Sequence, residues 1–212
     1  MIGNDIVDYS VDEKKYLNQR YVSRCLSQLE SNFLVQNGNK NALFWTLWAC
    51  KEAAYKAYQQ QHLSCKFSPP KFELSETTLI ALSKHDMKSV FQGEIHYQSH
   101  SLSFQLTWPA LDVVHCIAAQ NLTSIEPCLV AIENNHAATD NIKQSHFTRT
   151  LAKKLLMEQG IDAEIFRPEL DMGHYRKPGP PILIDNTTKT KRKESISLSH
   201  DKTWLAFVVS KT

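Results

Sequence analysis

The chain has 212 residues, 42% hydrophobic and 22% charged, a globular balance with room for one ordinary domain or two small lobes sharing a core. A formal charge of +2 leaves no nucleic-acid footprint, and no apolar run reaches the roughly 18 residues of a membrane span. Five cysteines, an odd number without CxxC spacing, read as reduced thiols of a cytosolic protein rather than a disulfide frame.

The stretch Ile2-Gly-Asn-Asp-Ile-Val-Asp8 predicts a short strand, and with the polar Asn4, Asp5 and Asp8 in it no signal peptide is expected. Asp5 is enclosed by Ile2, Ile6 and Val7, an unusual place for a carboxylate unless it ends the strand or turns. A helical pattern covers Glu13 to Gln36, closed by the loop Asn37–Asn41. Phe44 to Tyr58 lacks Gly and Pro and predicts a helix. At about 100° per residue, Phe44, Leu47, Trp48, Tyr55 and Tyr58 share one arc. Thr46, Ala49, Cys50, Ala53 and Ala57 form a small-residue face opposite, so the helix reads as buried. Lys51 and Glu52 nevertheless project within the apolar arc, with Lys56 beside it, and buried charges need partners. Either Glu52 and Lys56 pair at i, i+4, or the lysines hold an anionic ligand and Glu52 a metal.

Lys71–Leu74 predicts a short strand. Val90–Tyr97 and Leu102–Trp108 read as a hairpin, and Val113–Gln120 as a third strand after a break at Pro109. His96, His100 and His115 match no metal spacing and read as ordinary strand and turn histidines. Cys128–Glu133 predicts a strand. Ser145–Gln159 predicts a helix with Ser145 as N-cap, Gly160 as stop and a core face of Phe147, Leu151, Leu155 and Leu156. Arg176–Pro181 reads as irregular because prolines stand at 178, 180 and 181, and Lys189–Lys193 as a solvated basic loop. Ser195–His200 and Trp204–Ser210 predict a hairpin with the histidine at its tip. The expected architecture is α+β, with two pseudo-symmetric lobes, residues 1–127 and 128–212, each an antiparallel sheet on a long helix.

Gly3-Asn-Asp-Ile-Val-Asp8, Trp48-Ala-Cys-Lys-Glu-Ala-Ala-Tyr-Lys56 and Ser197-Leu-Ser-His-Asp201 together resemble the 4′-phosphopantetheinyl transferases, with their G-x-D strand, W-x-x-K-E-A-x-x-K helix and S-x-S-H element. Lys177-Pro178 resembles the family's G-K-P loop, although Arg176 replaces the glycine. The motif order resembles the short trimeric holo-carrier-protein synthases, while the length suits a two-lobed chain. Val7 stands where some two-lobed members carry a third acidic residue, which favours a two-carboxylate metal site. The resemblance implies Mg²⁺-dependent transfer of phosphopantetheine from coenzyme A to a serine of an apo acyl or peptidyl carrier protein. It implies Asp5 and Glu52 as metal ligands, with Glu52 also taking the serine proton, directly or through a water. Lys51 and Lys56 would hold diphosphate oxygens. Ser199 and His200 would touch coenzyme A phosphates, His200 completing the catalytic set, and Arg149, Arg176 and Lys177 would meet the 3′-phosphate and adenosine. A monomer is expected, with no nucleic-acid or membrane partner. Fatty-acid, polyunsaturated-lipid, polyketide and peptide pathways all stay open. The alternative is an inactive coenzyme A or carrier-protein binding module of the same fold.

Overall fold

The computed structural model describes residues 1–11 and 14–211. Among them the first series of elements is β1 (Ile2–Asp8), α1 (Gln19–Cys25), α2 (Gln28–Gln36), α3 (Lys40–Gln59), β2 (Phe72–Leu74), α4 (Glu76–Ser83), β3 (Phe91–Tyr97), β4 (His100–Ala110) and β5 (Val113–Ala119). The second is β6 (Leu129–Asn134), α5 (Asn141–Glu158), β7 (Ala163–Phe166), β8 (Glu169–Asp171), β9 (Arg176–Pro178), β10 (Ile182–Asp185), β11 (Lys191–Asp201) and β12 (Trp204–Val209). The two large sheets have the strand orders β1-β5-β4-β3-β2 and β6-β12-β11-β10-β7, and their strands pair antiparallel. In both, the opening strand pairs with the last one and the others follow in reverse order. The same path is thus traced twice, and each sheet carries one long helix. This is the α+β, two-lobed fold expected from the sequence.

α3 brings the first sheet together because its faces differ. Its small face, with Ala49, Ala53 and Ala57, lies against β1 and β5. Gly3 is needed for that approach. A Cβ there would lie 2.0 Å from the Ala53 carbonyl oxygen and 2.4 Å from the Ala57 amide nitrogen. The aromatic face (Phe44, Leu47, Tyr58) packs into the main core with Phe72, Tyr97 and Phe104.

Several local expectations are corrected. The helical stretch toward Gln36 is split at Leu26, and α2 starts on a capping box between Ser27 and Glu30; its expected start, Glu13, lies outside the described residues. α5 begins earlier than Ser145, because the Asp140 side chain accepts from the Lys143 amide. Gly160 does follow it at φ +68°. β4 runs through Pro109, tolerated because the ladder is irregular between Thr107 and Ala110. Arg176–Pro178 is a short strand against β8, and Lys191–Lys193 opens β11. α4 has no counterpart in the sequence reading.

The lobes meet through their sheets. Ile2 and Ile117 pack with Val208, and Ile6 and Val113 with Ala206. The contact is made by β1, β5 and β12, while Trp48 packs against the first core and Leu151 lies on α5. Among the described residues no helix is long and apolar enough to cross a membrane.

Candidate functional site

β1 has an outer edge that faces the second lobe, and side chains rather than a backbone ladder satisfy it. The Ile2 amide donates to Gln60 Oε1 (3.0 Å), Asn4 to Ser197 Oγ (2.9 Å), Ile6 to Ser199 Oγ (3.1 Å) and Asp8 to Asp201 Oδ2 (2.9 Å). From Asn4 to Asp8, alternate amides thus meet alternate side chains of β11, which is why Ser, Ser and Asp recur at spacing two, while Gln60 after α3 serves Ile2.

Asp5 sits at the centre of this seam, only 4% exposed. Its Oδ1 accepts from Lys56 Nζ (2.8 Å) and Ser199 Oγ (2.7 Å). Lys56 also reaches Glu52 Oε1 (3.2 Å) and the Asn4 carbonyl (3.0 Å). Burial, with the Glu52 charge added, pushes Asp5 up to about 7 against the pull of Lys56 and Ser199. Burial by itself would lower Lys56, but the two carboxylates beside it raise it. Behind Asp5, Asn4 donates to His115 Nε2 (3.2 Å). Burial and Lys56 push that histidine down to about 3, so it stays neutral and keeps its acceptor.

Trp45, Trp48, Glu52 and Lys56 recur at helical spacing and form one stripe of α3 along a cavity of about 400 Å³. Lys51 is about 100° away from Glu52 and points into the core. It is fully buried against Glu30 (Nζ–Oε2 2.6 Å) and donates to the carbonyls of Pro69 and Phe72. Glu30 in turn accepts from the Ser27 and Leu74 amides. The expectation that Lys51 holds a diphosphate is therefore corrected: its proton donors are engaged inside the first lobe.

The second lobe supplies the opposite wall. Ser145, Thr148 and Arg149 of α5, Arg167 after β7, and Ser199 to Lys202 line the same cavity. His200 is in β11, paired with Leu205, one residue before the hairpin turn. Burial, then Lys56 and Arg167, lower its pKa, so it is neutral near pH 7. Burial and neighbouring Arg149 also lower Arg167, an arginine whose residue surface is otherwise exposed. Arg149 donates to the Ile165 carbonyl at 3.4 Å. Neither arginine has a carboxylate within salt-bridge distance among the described residues. Arg167 was not singled out from the sequence, since no spacing marks it. Arg176 is corrected: it is exposed on β9, 3.4 Å from Glu169, and lines neither this cavity nor its neighbour. Lys177 donates to the Cys65 carbonyl (3.2 Å) and lines an adjoining cavity of about 210 Å³, which shares Lys56, Arg167 and Leu198 with the first.

The donor set fits a hard divalent cation. Asp5 Oδ2 and Glu52 Oε2 accept no hydrogen bond from the described residues, and both carboxylates open on one cavity. Among the described residues no group of three His, Cys, Asp or Glu forms a metal cage. Waters and ligand oxygens would complete the coordination, as Mg²⁺ commonly requires.

No individual curated protein matches the chain. The family model for the 4′-phosphopantetheinyl transferase superfamily matches residues 1–118, which takes in β1, α3 and nearly all of β5. With the G-x-D strand and the lysine–glutamate helix both inside that match, the chain belongs to the 4′-phosphopantetheinyl transferase superfamily.

Proposed function

We propose that the protein transfers 4′-phosphopantetheine from coenzyme A to the serine hydroxyl of an apo acyl or peptidyl carrier protein. The observation that carries this reading is Lys56 set between Asp5 and Glu52 on the floor of a cavity whose far wall holds Arg149, Arg167 and His200. Such a cavity is negative at one wall and positive at the other. A diphosphate with a divalent cation matches both walls.

Asp5 and Glu52 would each offer one oxygen to Mg²⁺, which when bound supplies charge neutralisation across the diphosphate. Lys56 holds the two carboxylates together: its three donors go to Asp5, Glu52 and the Asn4 carbonyl, so toward the phosphates it would contribute charge rather than a free hydrogen bond. Arg149 and Arg167 suit the remaining phosphate charge, and Lys177 the nucleotide end through the adjoining cavity. His200, neutral and half-buried, donates or accepts a hydrogen bond without adding charge. In the reaction the carrier serine oxygen bonds to the pantetheine-side phosphorus, the diphosphate P–O bond breaks, and adenosine 3′,5′-bisphosphate leaves. Glu52, more exposed than Asp5, takes the serine proton.

The test is incubation with coenzyme A, Mg²⁺ and apo carrier proteins from fatty-acid, polyketide and peptide systems, read as a phosphopantetheine mass gain. Gain on one class supports the reading and names the pathway. Coenzyme A binding with no gain on any class, beside a positive control transferase, would favour a binding module instead.

A further inference from the structure

Resting on the transferase reading, we propose that Ser199 is a positioning residue for the metal carboxylate Asp5, and not a ligand of the coenzyme A phosphates. A serine hydroxyl has one proton to donate. Here that proton goes to Asp5 Oδ1 at 2.7 Å. Ser199 Oγ in turn accepts from the Ile6 amide at 3.1 Å. Ser199 lines the cavity beside His200 but is only 4% exposed, so little of it is open there. A phosphate oxygen requires a donor, and this hydroxyl could supply one only by releasing Asp5.

The two bonds do different work. The Ile6 contact belongs to the seam in which Ser197, Ser199 and Asp201 satisfy alternate amides of β1. Ser197 and Asp201 do only that for β1, through Asn4 and Asp8. Ser199 adds the contact to Asp5 and so carries a constraint from the second lobe onto a carboxylate of the first. Lys56 grips the same Oδ1 from α3, at 2.8 Å. Held from both sides at Oδ1, Asp5 presents Oδ2 as its remaining oxygen. The second lobe then shapes the metal site without contributing a ligand to it. Partners of this outer kind commonly alter metal affinity by about 10- to 100-fold when removed.

Mn²⁺ serves as the probe, with binding followed by its paramagnetic resonance signal and by calorimetry, and coenzyme A binding measured separately in EDTA. Ser199→Ala is expected to weaken Mn²⁺ binding by about tenfold or more. Its coenzyme A affinity in EDTA should stay at the wild-type level. Ser199→Thr keeps the hydroxyl and should restore Mn²⁺ binding. Ser197→Ala removes the equivalent cap on Asn4 and should lower stability while leaving Mn²⁺ affinity alone, which separates positioning from loss of fold. Unchanged Mn²⁺ affinity in Ser199→Ala, or a tenfold loss of coenzyme A affinity in EDTA, would overturn the proposal. Because transfer is not the readout, a wild type that binds Mn²⁺ but modifies no carrier defeats the transferase reading alone.

Discussion

Lys51 and Lys56 show how five residues on one helix separate structure from chemistry. Lys51 is buried with Glu30, and burial lowers its pKa against the pull of that partner. Removing one member of a buried pair commonly costs about 3–5 kcal/mol. Lys51→Met should therefore lower the urea midpoint sharply, with coenzyme A affinity at native conditions retained; the double variant with Glu30→Leu should recover part of the loss. Loss of affinity without loss of stability would return Lys51 to the ligand site. His115 offers a pH test. Its folded pKa is depressed to about 3 against an unfolded value near 6.5. Between those values the unfolded chain binds the proton and the folded chain does not, so stability falls as pH drops from about 6.5 toward 3. The expected loss at pH 4 is roughly 3 kcal/mol. Denaturant titrations across that window should show a shallower acid decline in His115→Gln than in wild type. At this scale, Asp5, Glu52, Lys56 and His200, all singled out in the sequence, line one cavity. The sequence misplaced Lys51 because an apolar arc does not say which of its charges has a partner inside. Arg167 escaped notice because only the fold brings it beside Arg149.

At the scale of elements, the site depends on how closely α3 approaches β1. Gly3 has no Cβ, and the Ala53 and Ala57 backbone occupies the space one would fill. Gly3→Ala must push the helix away, at a cost of roughly 1–3 kcal/mol by overpacking. The same displacement separates Lys56 from Asp5, so metal affinity should fall together with thermal stability. A variant that melts normally and binds Mn²⁺ normally would contradict this coupling. The G-x-D pattern was visible in the sequence as a motif; its reason, helix contact at the glycine, lies in packing. The helices α3 and α5 and the main hairpins were legible from period and caps. Boundaries at α2, α5 and β9 were not: Ser27 and Asp140 set the first two through local caps with Glu30 and Lys143 that an apolar period does not register, and β9 exists through its pairing with β8.

The whole molecule repeats one five-strand path and joins the copies through β1, β11 and β12. Hydrophobic contact and three side-chain caps from β11 on the β1 edge make the junction, and two of those caps belong to the serine pair at 197 and 199. Separated halves, residues 1–127 and 128–212, would each expose an apolar sheet face and should aggregate or remain inactive. Light scattering of the intact chain should give its monomer mass of 24.3 kDa. The pseudo-repeat was expected from the order of elements; the meeting of the two lobes through their sheets is visible only in the fold.

On the proposed reading one chain builds the site by itself, with carboxylates from one lobe and arginines from the other. Complementation separates this from a site shared between chains. Glu52→Gln and the double variant Arg149→Ala/Arg167→Ala are assayed for carrier modification separately and after mixing under refolding conditions. Sites built within single chains should give a mixture no more active than the sum of its parts; recovery of transfer well above that sum would mean that two chains share each site.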